Sequence, residues 1–155
     1  MTKILHHQYH FAFRLIMTKK KILVLCTGNS CRSQIAEGYL RHFAGGKAEI
    51  YSGGIETHGV NSKAIETMKE DGIDISHQTS NNIKEYRNIY FDFVITVCDN
   101  AKERCPLFPS NAKKFHYNFP DPAKATGSEN EILQQFRNVR QLIKHYCKEF
   151  VADNL

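Results

Sequence analysis

The sequence predicts an α/β fold in which helices cover both faces of a parallel sheet. Short segments typical of strands lie along the chain, and helical segments separate them. The first, KILVLC, is almost continuously apolar, as expected of a strand that is buried on both faces. Strands that alternate with helices pair in parallel, and these observations therefore favour a parallel sheet.

The first half of the predicted fold is two strands joined by a helix. The strand KILVLC covers residues 21–26. From Ser33 onward, apolar residues recur at helical spacing until the Gly-Gly pair at 45–46, which is typical of a helix end. The segment KAEIYSGG, residues 47–54, predicts the second strand.

The second half repeats this alternation. Residues 61–71 have the apolar spacing of a helix, and YFDFVITVC, residues 90–98, predicts the third strand. A short helical turn is expected at 99–109, where two prolines stop it. KKFHYNF, residues 113–119, predicts the fourth strand.

A long amphipathic helix is predicted to close the fold. Ser128 and Glu131 have the spacing of a capping box at a helix start. Apolar residues follow at helical spacing: Ile132, Leu133, Phe136, Val139, Ile143, Tyr146 and Phe150. No repeat or linker divides the chain, so we expect one domain over residues 17–155.

The composition is that of a globular domain with a mild positive charge. Of the 155 residues, 41% are hydrophobic and 24% are charged, and the net charge is +5. This charge favours small anions, but no basic run carries the interleaved aromatics of a nucleic-acid site. No apolar stretch has transmembrane length. We expect a monomer without a nucleic-acid or membrane partner.

The first sixteen residues, MTKILHHQYHFAFRLI, differ in character from the rest. They lack the apolar core and cleavage site of a secretory signal, and Met17 opens a segment typical of a start before a strand. We expect residues 1–16 to be an extension without chemistry, and the protein to be cytoplasmic. In a reducing compartment, five cysteines indicate catalysis, redox chemistry or metal binding rather than structural disulfides.

The segment VLCTGNSCRSQIAEG, residues 24–38, carries the strongest functional signal. Cys26 ends the first predicted strand and Ser33 begins the first helix, and parallel α/β sheets bind ligands at this edge. The small residues between them allow backbone N–H groups to converge on an anion beside the positive helix N-terminus. The expected oxyanion-binding residues are Thr27, Gly28, Asn29, Ser30, Cys31, Arg32 and Ser33.

Cys26 and Arg32 have complementary chemistry in this loop. The Arg32 guanidinium can bind two oxygens of a tetrahedral oxyanion at once. The positive surroundings are expected to lower the pKa of Cys26, which would make it a thiolate nucleophile, with Ser33 as a hydrogen-bond donor to it. The alternative is a buried strand-end cysteine beside a surface arginine. Nucleotide hydrolysis is not supported, since the G-x-x-x-x-G-K-[ST] motif is absent.

This loop resembles the anion loop of the low-molecular-weight protein tyrosine phosphatases and of the thioredoxin-coupled arsenate reductases, which share one fold. The resemblance extends from Met17 to the last residue and implies a four-stranded parallel sheet flanked by helices. It implies that Cys26 is the nucleophile, Arg32 the oxyanion clamp and Asp121, in NFPDPA, the general acid. On its own, this Asp-Pro would be a turn. Ala123 follows, as in the reductases, where the phosphatases usually carry an aromatic residue.

Cys98 and Cys105, seven residues apart in VCDNAKERCP, distinguish the two branches. The reductases carry two shuttle cysteines at the matching positions. The resemblance thus implies a relay from Cys26 to Cys98 to Cys105, regenerated by a thioredoxin-like dithiol. One alternative is a zinc site on Cys26, Cys31, Cys98 and Cys105, but the spacing of these residues is poor for zinc. The other alternative is that they are buried cysteines without a chemical role. Cys147 is expected to be a packing or surface thiol.

No tightly bound cofactor is expected, but the resemblance suggests a site for a potassium ion. Asn29, Glu37 and Ser52 match polar positions that bind potassium in some of these reductases. A fourth ligand, an aspartate there, corresponds to Asn81 here, which removes a carboxylate from the set. A solvated helix position fits Glu37 equally well, and a turn-shaping role fits Asn29.

The first functional hypothesis is an arsenate reductase that uses Cys26, Cys98 and Cys105. The alternative is a low-molecular-weight phosphatase that hydrolyses phosphotyrosine through a Cys26 phosphoenzyme, with Asp121 as general acid. A third reading is an oxyanion-binding regulator without turnover. The histidines His58, His77 and His116 show no spacing that requires a function.

Overall fold

Strands and helices alternate along the part of the chain that the computed structural model describes, residues 19–104 and 111–155. They are β1 (Lys20–Cys26), α1 (Arg32–Ala44), β2 (Ala48–Gly54), α2 (Ser62–Glu70), β3 (Phe93–Thr96), α3 (Asp99–Arg104), β4 (Lys113–His116) and α4 (Glu129–Asn154). Two short 3-10 turns, Ile83–Tyr86 and Pro122–Lys124, lie in the connections. The strands pair in parallel in the order β2-β1-β3-β4. The predicted four-stranded parallel α/β fold is confirmed.

β1 is a central strand, and its burial follows from its sequence. Residues 22–25 are all apolar, and none is more than 2% exposed. Successive side chains of a strand point to opposite faces of the sheet, so both faces are covered at β1. Ile35 and Leu40 of α1 and Ile143 of α4 belong to the same apolar core.

The strand order places two cysteines at one edge of the sheet. β1 and β3 are neighbours, with Leu25 opposite Thr96. The Val97 amide still donates to the Leu25 carbonyl at 3.0 Å, so the two chains run side by side to their ends. Cys26 and Cys98 therefore leave the sheet next to each other.

β3 and β4 are shorter than predicted. β4 ends at His116 rather than at residue 119, and β3 at Thr96 rather than at residue 98. Beyond these points single backbone hydrogen bonds continue the pairing, from the Tyr117 amide to the Thr96 carbonyl (3.0 Å) and from the Phe119 amide to the Val97 carbonyl (3.2 Å). The regular ladder therefore stops two residues before the predicted end of β3 and three before that of β4.

Local signals set the helix ends. α1 begins at Arg32, one residue before the predicted start, and stops before Gly45, whose φ of 55° is left-handed and whose amide donates to the Arg41 carbonyl. At the start of α4 the Ser128 hydroxyl accepts a hydrogen bond from the Glu131 amide at 3.2 Å, as predicted for the first half of the capping box.

Two sequence predictions fall outside the described residues. These are the extension over residues 1–16 and the end of the helical turn predicted at 99–109, which includes Cys105. The beginning of that turn is α3. Within residues 19–104 and 111–155, no helix combines the length and the apolar character needed to cross a membrane.

The packing of α4 against the sheet predicts a large difference between two adjacent positions. Ile143 is 0% exposed and Leu142 is 47% exposed. We expect Ile143→Ala to lower the free energy of unfolding by about 2–5 kcal/mol, because it opens a cavity in the core. The matched control Leu142→Ala should change it by less than about 0.5 kcal/mol. Urea denaturation of both variants measures this, and equal effects would contradict the described orientation of α4.

Candidate active site

A cavity of about 450 Å³ lies where β1 and β3 end. Its lining includes four residues that the sequence assigned to catalysis: Cys26, Arg32, Cys98 and Asp121. Thr27, Gly28, Ser30 and Cys31 of the loop also line it. Three distant stretches of chain thus meet at one site. The remaining member of the predicted catalytic set, Cys105, lies outside the described residues.

The loop between β1 and α1 turns its carbonyl oxygens away from the cavity. The carbonyls of Thr27 and Gly28 accept hydrogen bonds from the amides of Glu56 and His58 at 2.9 and 3.0 Å, and the Ser30 carbonyl is bound in the same way. In a trans peptide the N–H points opposite to the C=O, so the amides of Gly28 and Cys31, which both line the cavity, point away from these partners. Converging amides of this kind form an anion site.

Tight backbone contacts shape this loop. Asn29 has a left-handed φ of 47°, a conformation that asparagine tolerates better than most residues. A Cβ on Gly28 would lie 2.7 Å from Nδ1 of His58, so the histidine ring rests directly on the glycine. A Cβ on Gly54 would lie 2.8 Å from both the Thr27 carbonyl oxygen and the Asn29 amide nitrogen. Gly54 gave no signal in the sequence analysis, because the segments that it separates are distant in the chain.

Arg32 and Asp121 face each other across the cavity. Nη1 of Arg32 donates to the Phe119 carbonyl at 3.0 Å, and Nη2 lies 3.5 Å from Oδ2 of Asp121. Nε of Arg32 is buried and makes no hydrogen bond to any described residue. Asp121 is fixed by the Ala123 amide, which donates to its Oδ1 at 3.0 Å. The guanidinium is therefore held in place with donor capacity left for an anion.

Cys26 and Cys98 interact directly, and their ionisations are linked. A hydrogen bond with Cys98, together with burial, raises the pKa of Cys26 far above its ordinary value, although Arg32 acts in the opposite direction. The hydrogen bond with Cys26 lowers the pKa of Cys98 to about 5, assisted by the Thr27 hydroxyl and the Ala101 amide. Oγ1 of Thr27 lies 3.4 Å from Sγ of Cys98.

The directions of these two pKa shifts differ from the sequence prediction, which was a lowered pKa for Cys26. The sequence assigned the thiolate to Cys26 alone, from its positive surroundings. In the structure the two thiols are linked, so that the pKa of Cys26 is raised and that of Cys98 lowered, and the pair loses its two protons in separate steps. At neutral pH the two sulfur atoms hold one proton and one negative charge between them.

The two other described cysteines behave as protonated thiols. Burial raises the pKa of Cys31 to about 11, even with Arg32 nearby. Cys147 is 1% exposed, burial raises its pKa well above the ordinary value, and its Sγ contacts the Ala36 carbonyl at 3.7 Å. The expectation that Cys147 is a packing thiol agrees with this position.

A buried polar network supports the loop from behind. Nδ2 of Asn29 donates to Ser33 and to Ser52, each at 2.9 Å, and Ser52 donates to Oε1 of Glu37 at 2.8 Å. The Ser33 hydroxyl accepts in its bond with Asn29, and its expected donation to Cys26 stays a prediction. The side chains of Asn29 and Ser33 therefore shape the loop and do not line the cavity.

This network includes the three residues predicted for potassium. Oδ1 of Asn29 accepts from the Asn81 amide at 2.7 Å, and Arg41 Nε lies 3.4 Å from Oε2 of Glu37. The donor set is satisfied within the protein and the carboxylate has a cation of its own, so the residues do not fit a potassium site well. No step is assigned to potassium, which stays a prediction from the resemblance.

Several residues that the sequence analysis did not select also line the cavity. They are His58, Asp99, Asn100, Asn118 and Lys124. Only the packing of three loops on the sheet edge brings them there, so local sequence patterns could not identify them. Among the described residues, no cluster of three His, Cys, Asp or Glu has an arrangement suited to a metal ion.

The fold and this site define a class of protein. Residues 21–155 match the family model described as low molecular weight phosphotyrosine protein phosphatase. The chain belongs to this family, which confirms the resemblance seen in the loop.

Within the family, similar relatives are arsenate reductases. The chain is 49% identical over 134 residues to the arsenate reductase of Halalkalibacterium halodurans, which covers 86% of this chain and 96% of the relative. It is 47% identical to the arsenate reductase of Bacillus subtilis, with the same coverage. It is 50% identical to arsenate reductase 2 of Staphylococcus haemolyticus, over 86% of this chain and 98% of the relative.

Solved structures of similar fold come from both branches. An arsenate reductase in the phosphate binding state superposes with a TM-score of 0.72 at 33% identity, over 86% of this chain and 98% of the other. Vibrio vulnificus Wzb in complex with benzylphosphonate has a TM-score of 0.72 at 20% identity, over 88% and 99%. The second likeness concerns the fold alone.

The linked thiols predict an unusual titration. In wild-type protein, the absorbance of one thiolate at 240 nm should appear with a midpoint near pH 5, since the hydrogen bond from Cys26 stabilises the Cys98 anion. Cys26→Ser should move that midpoint upward, because it removes the largest cause of the shift. Cys147→Ser should leave it unchanged. A wild-type protein that forms no thiolate below pH 7 would contradict the linked pair.

Proposed function

We propose that this protein reduces arsenate to arsenite through Cys26, Cys98 and Cys105. The observation that carries this proposal is that Cys26 and Cys98 line one cavity together with Arg32 and Asp121, with the ionisations of the two thiols linked. Phosphate-ester hydrolysis needs one thiol, whereas a two-electron reduction needs two thiols that can join. The arsenate reductase relatives support the same choice.

In the first step the cavity binds arsenate and Cys26 attacks it. The dianion takes the place of Asp121 as the partner of Arg32, and Asp121 then lies beside the arsenate oxygens. The Cys26 proton passes to Cys98 along their hydrogen bond. The Cys26 thiolate then forms a bond to arsenic, an As–O bond breaks, and the oxygen leaves as water with a proton from Asp121.

The second step is the reduction. Cys98 gives its proton to an oxygen of the arsenic group and attacks Sγ of Cys26, and the new S–S bond displaces arsenic with the electron pair of the S–As bond. Arsenic(V) thereby becomes arsenic(III) and leaves as arsenite, while the two thiols lose two electrons. The Thr27 hydroxyl and the Ala101 amide favour the Cys98 anion for this attack.

The third step moves the disulfide to where a dithiol can reach it. The Cys105 thiolate attacks Cys98, the Cys98–Cys105 bond forms, and Cys26 leaves as a thiolate. A thioredoxin-like dithiol then reduces Cys98–Cys105 by exchange. Such a cycle requires a reducing compartment, which fits a cytoplasmic location.

Transfer to Cys105 requires a change in α3. If residues 98–105 were all helical, a rise of about 1.5 Å per residue would separate their ends by about 10 Å, whereas the Cα atoms of a disulfide lie at most about 7 Å apart. The helix that begins at Asp99 would then have to unwind as the disulfide moves.

A phosphatase activity is expected as a side reaction. Cys26, Arg32 and Asp121 suffice for phosphoryl transfer, and the cavity brings them together. Ala123 lines the cavity where the phosphatases usually have an aromatic residue, so the site lacks that wall for an aryl ring. Reduction of arsenate is the function we propose, and hydrolysis of aryl phosphates the lesser one.

The decisive assay measures arsenate turnover with thioredoxin, thioredoxin reductase and NADPH. Turnover of Cys98→Ser and Cys105→Ser should fall to background, because each change breaks the relay. Hydrolysis of p-nitrophenyl phosphate should persist in both, since Cys26 and Arg32 remain. Cys147→Ser, a thiol outside the cavity, is the matched control and should turn over normally. If both relay variants cycle at the wild-type rate, the proposed function is wrong.

A further inference from the structure

The first residue of α3 is held to β4 by an unusually complete set of contacts. Nε2 of His116 lies 2.7 Å from Oδ1 of Asp99. Nδ2 of Asn118 donates to Oδ2 of the same carboxylate at 3.0 Å, and Oδ1 of Asn118 accepts from the Asp99 amide at 3.3 Å. Both carboxylate oxygens and the backbone of Asp99 are therefore engaged.

The anchor for these contacts is the sheet itself. Nδ1 of His116 lies 2.7 Å from Oγ1 of Thr96, which is the last residue of β3. The His116 side chain is only 22% exposed, whereas that of Asp99 is 62% exposed. The His116 side chain on β4 is thus fixed against β3, and its other ring nitrogen contacts the exposed carboxylate of Asp99.

A second tie runs from α3 to the anion loop. Nδ2 of Asn100 donates to Oγ1 of Thr27 at 3.1 Å, and the same hydroxyl contacts Sγ of Cys98. α3 has only six residues, and a helix of this length is not stable by itself in water. Its folded state depends on the ties at its first turn.

We propose that Asp99, held by His116 and Asn118, is a positioning residue that fastens the first turn of α3. We call the contacts of Asp99 with His116 and Asn118 the catch. While these contacts are intact, Cys98 stays against Cys26, where it can attack. When the catch opens, Cys98 can turn toward Cys105. The proposal rests on the relay proposed above and names the residues that time it.

The step that the catch controls is a thiol–disulfide exchange without net oxidation. The Cys105 thiolate bonds to Sγ of Cys98, the Cys26–Cys98 bond breaks, and Cys26 departs with the electron pair as a thiolate. The catch opposes this step, because α3 must unwind for it. It favours the preceding step, in which Cys98 attacks Cys26.

Hydrogen exchange in the fully reduced protein tests the catch without any turnover. Asp99→Ala and His116→Phe should accelerate exchange of the α3 amides on the order of tenfold, while α1 keeps its protection. His116→Gln, which retains an amide donor near the Nε2 position, should restore the wild-type rate. Glu149→Ala breaks an exposed histidine–carboxylate pair on α4, His145–Glu149 at 3.2 Å, and is the matched control.

Single-turnover kinetics with arsenate, stopped by alkylation and read by mass spectrometry, separate positioning from general damage. In a Cys105→Ser background, Asp99→Ala should slow formation of Cys26–Cys98 on the order of tenfold. With Cys105 present, the same change should speed transfer to Cys98–Cys105. Opposite effects on two successive steps are the signature of a catch, since a damaged fold slows both.

Three results would overturn the proposal at different points. If the α3 amides exchange at equal rates in wild type and Asp99→Ala, Asp99 does not fasten α3, whatever the activity of the variant. Faster exchange with both disulfide steps slowed alike reduces Asp99 to a structural residue. If wild-type protein forms no disulfide with arsenate, the proposed relay is wrong, and so is the role proposed for Asp99.

Discussion

The hydrogen bond between Cys26 and Cys98 is the interaction on which the site depends. Burial alone raises the pKa of a thiol, as it does for Cys31 and Cys147. Two thiols that share a proton escape this penalty, because the remaining proton stabilises the first negative charge. In the proposed mechanism, transfer of that proton from Cys26 to Cys98 creates the nucleophile without a separate base. The same contact places the second sulfur where a disulfide can form.

The fold makes this contact possible through the neighbouring ends of β1 and β3. A parallel sheet collects strand ends at one edge, and the pairing of Leu25 with Thr96 brings the two cysteines out together. The connection after β2 then holds the anion loop by its carbonyls, so that its amides face the cavity. Arg32 completes the site through its contact with Asp121, which gives way in the proposed mechanism when an oxyanion binds.

The sequence predicted the parts of the molecule that local patterns encode. The apolar run of β1, the glycine after α1 and the spacing of Cys26 and Arg32 each have a local physical cause. The lowered pKa of Cys98 has no local cause, because it depends on which strand lies beside β1. Gly54, His58 and His116 were missed for the same reason, since each acts through a partner that is distant in the chain. The ends of β3 and β4 were misplaced because the apolar pattern continues beyond the regular ladder.

The most direct test of the paired-thiol account is the identity of the first disulfide. One equivalent of arsenate is added to reduced Cys105→Ser protein, and the peptides are mapped by mass spectrometry under non-reducing conditions. The account predicts a single bond between Cys26 and Cys98, with Cys31 still alkylatable. A bond between Cys26 and Cys31, or no disulfide at all, would contradict it.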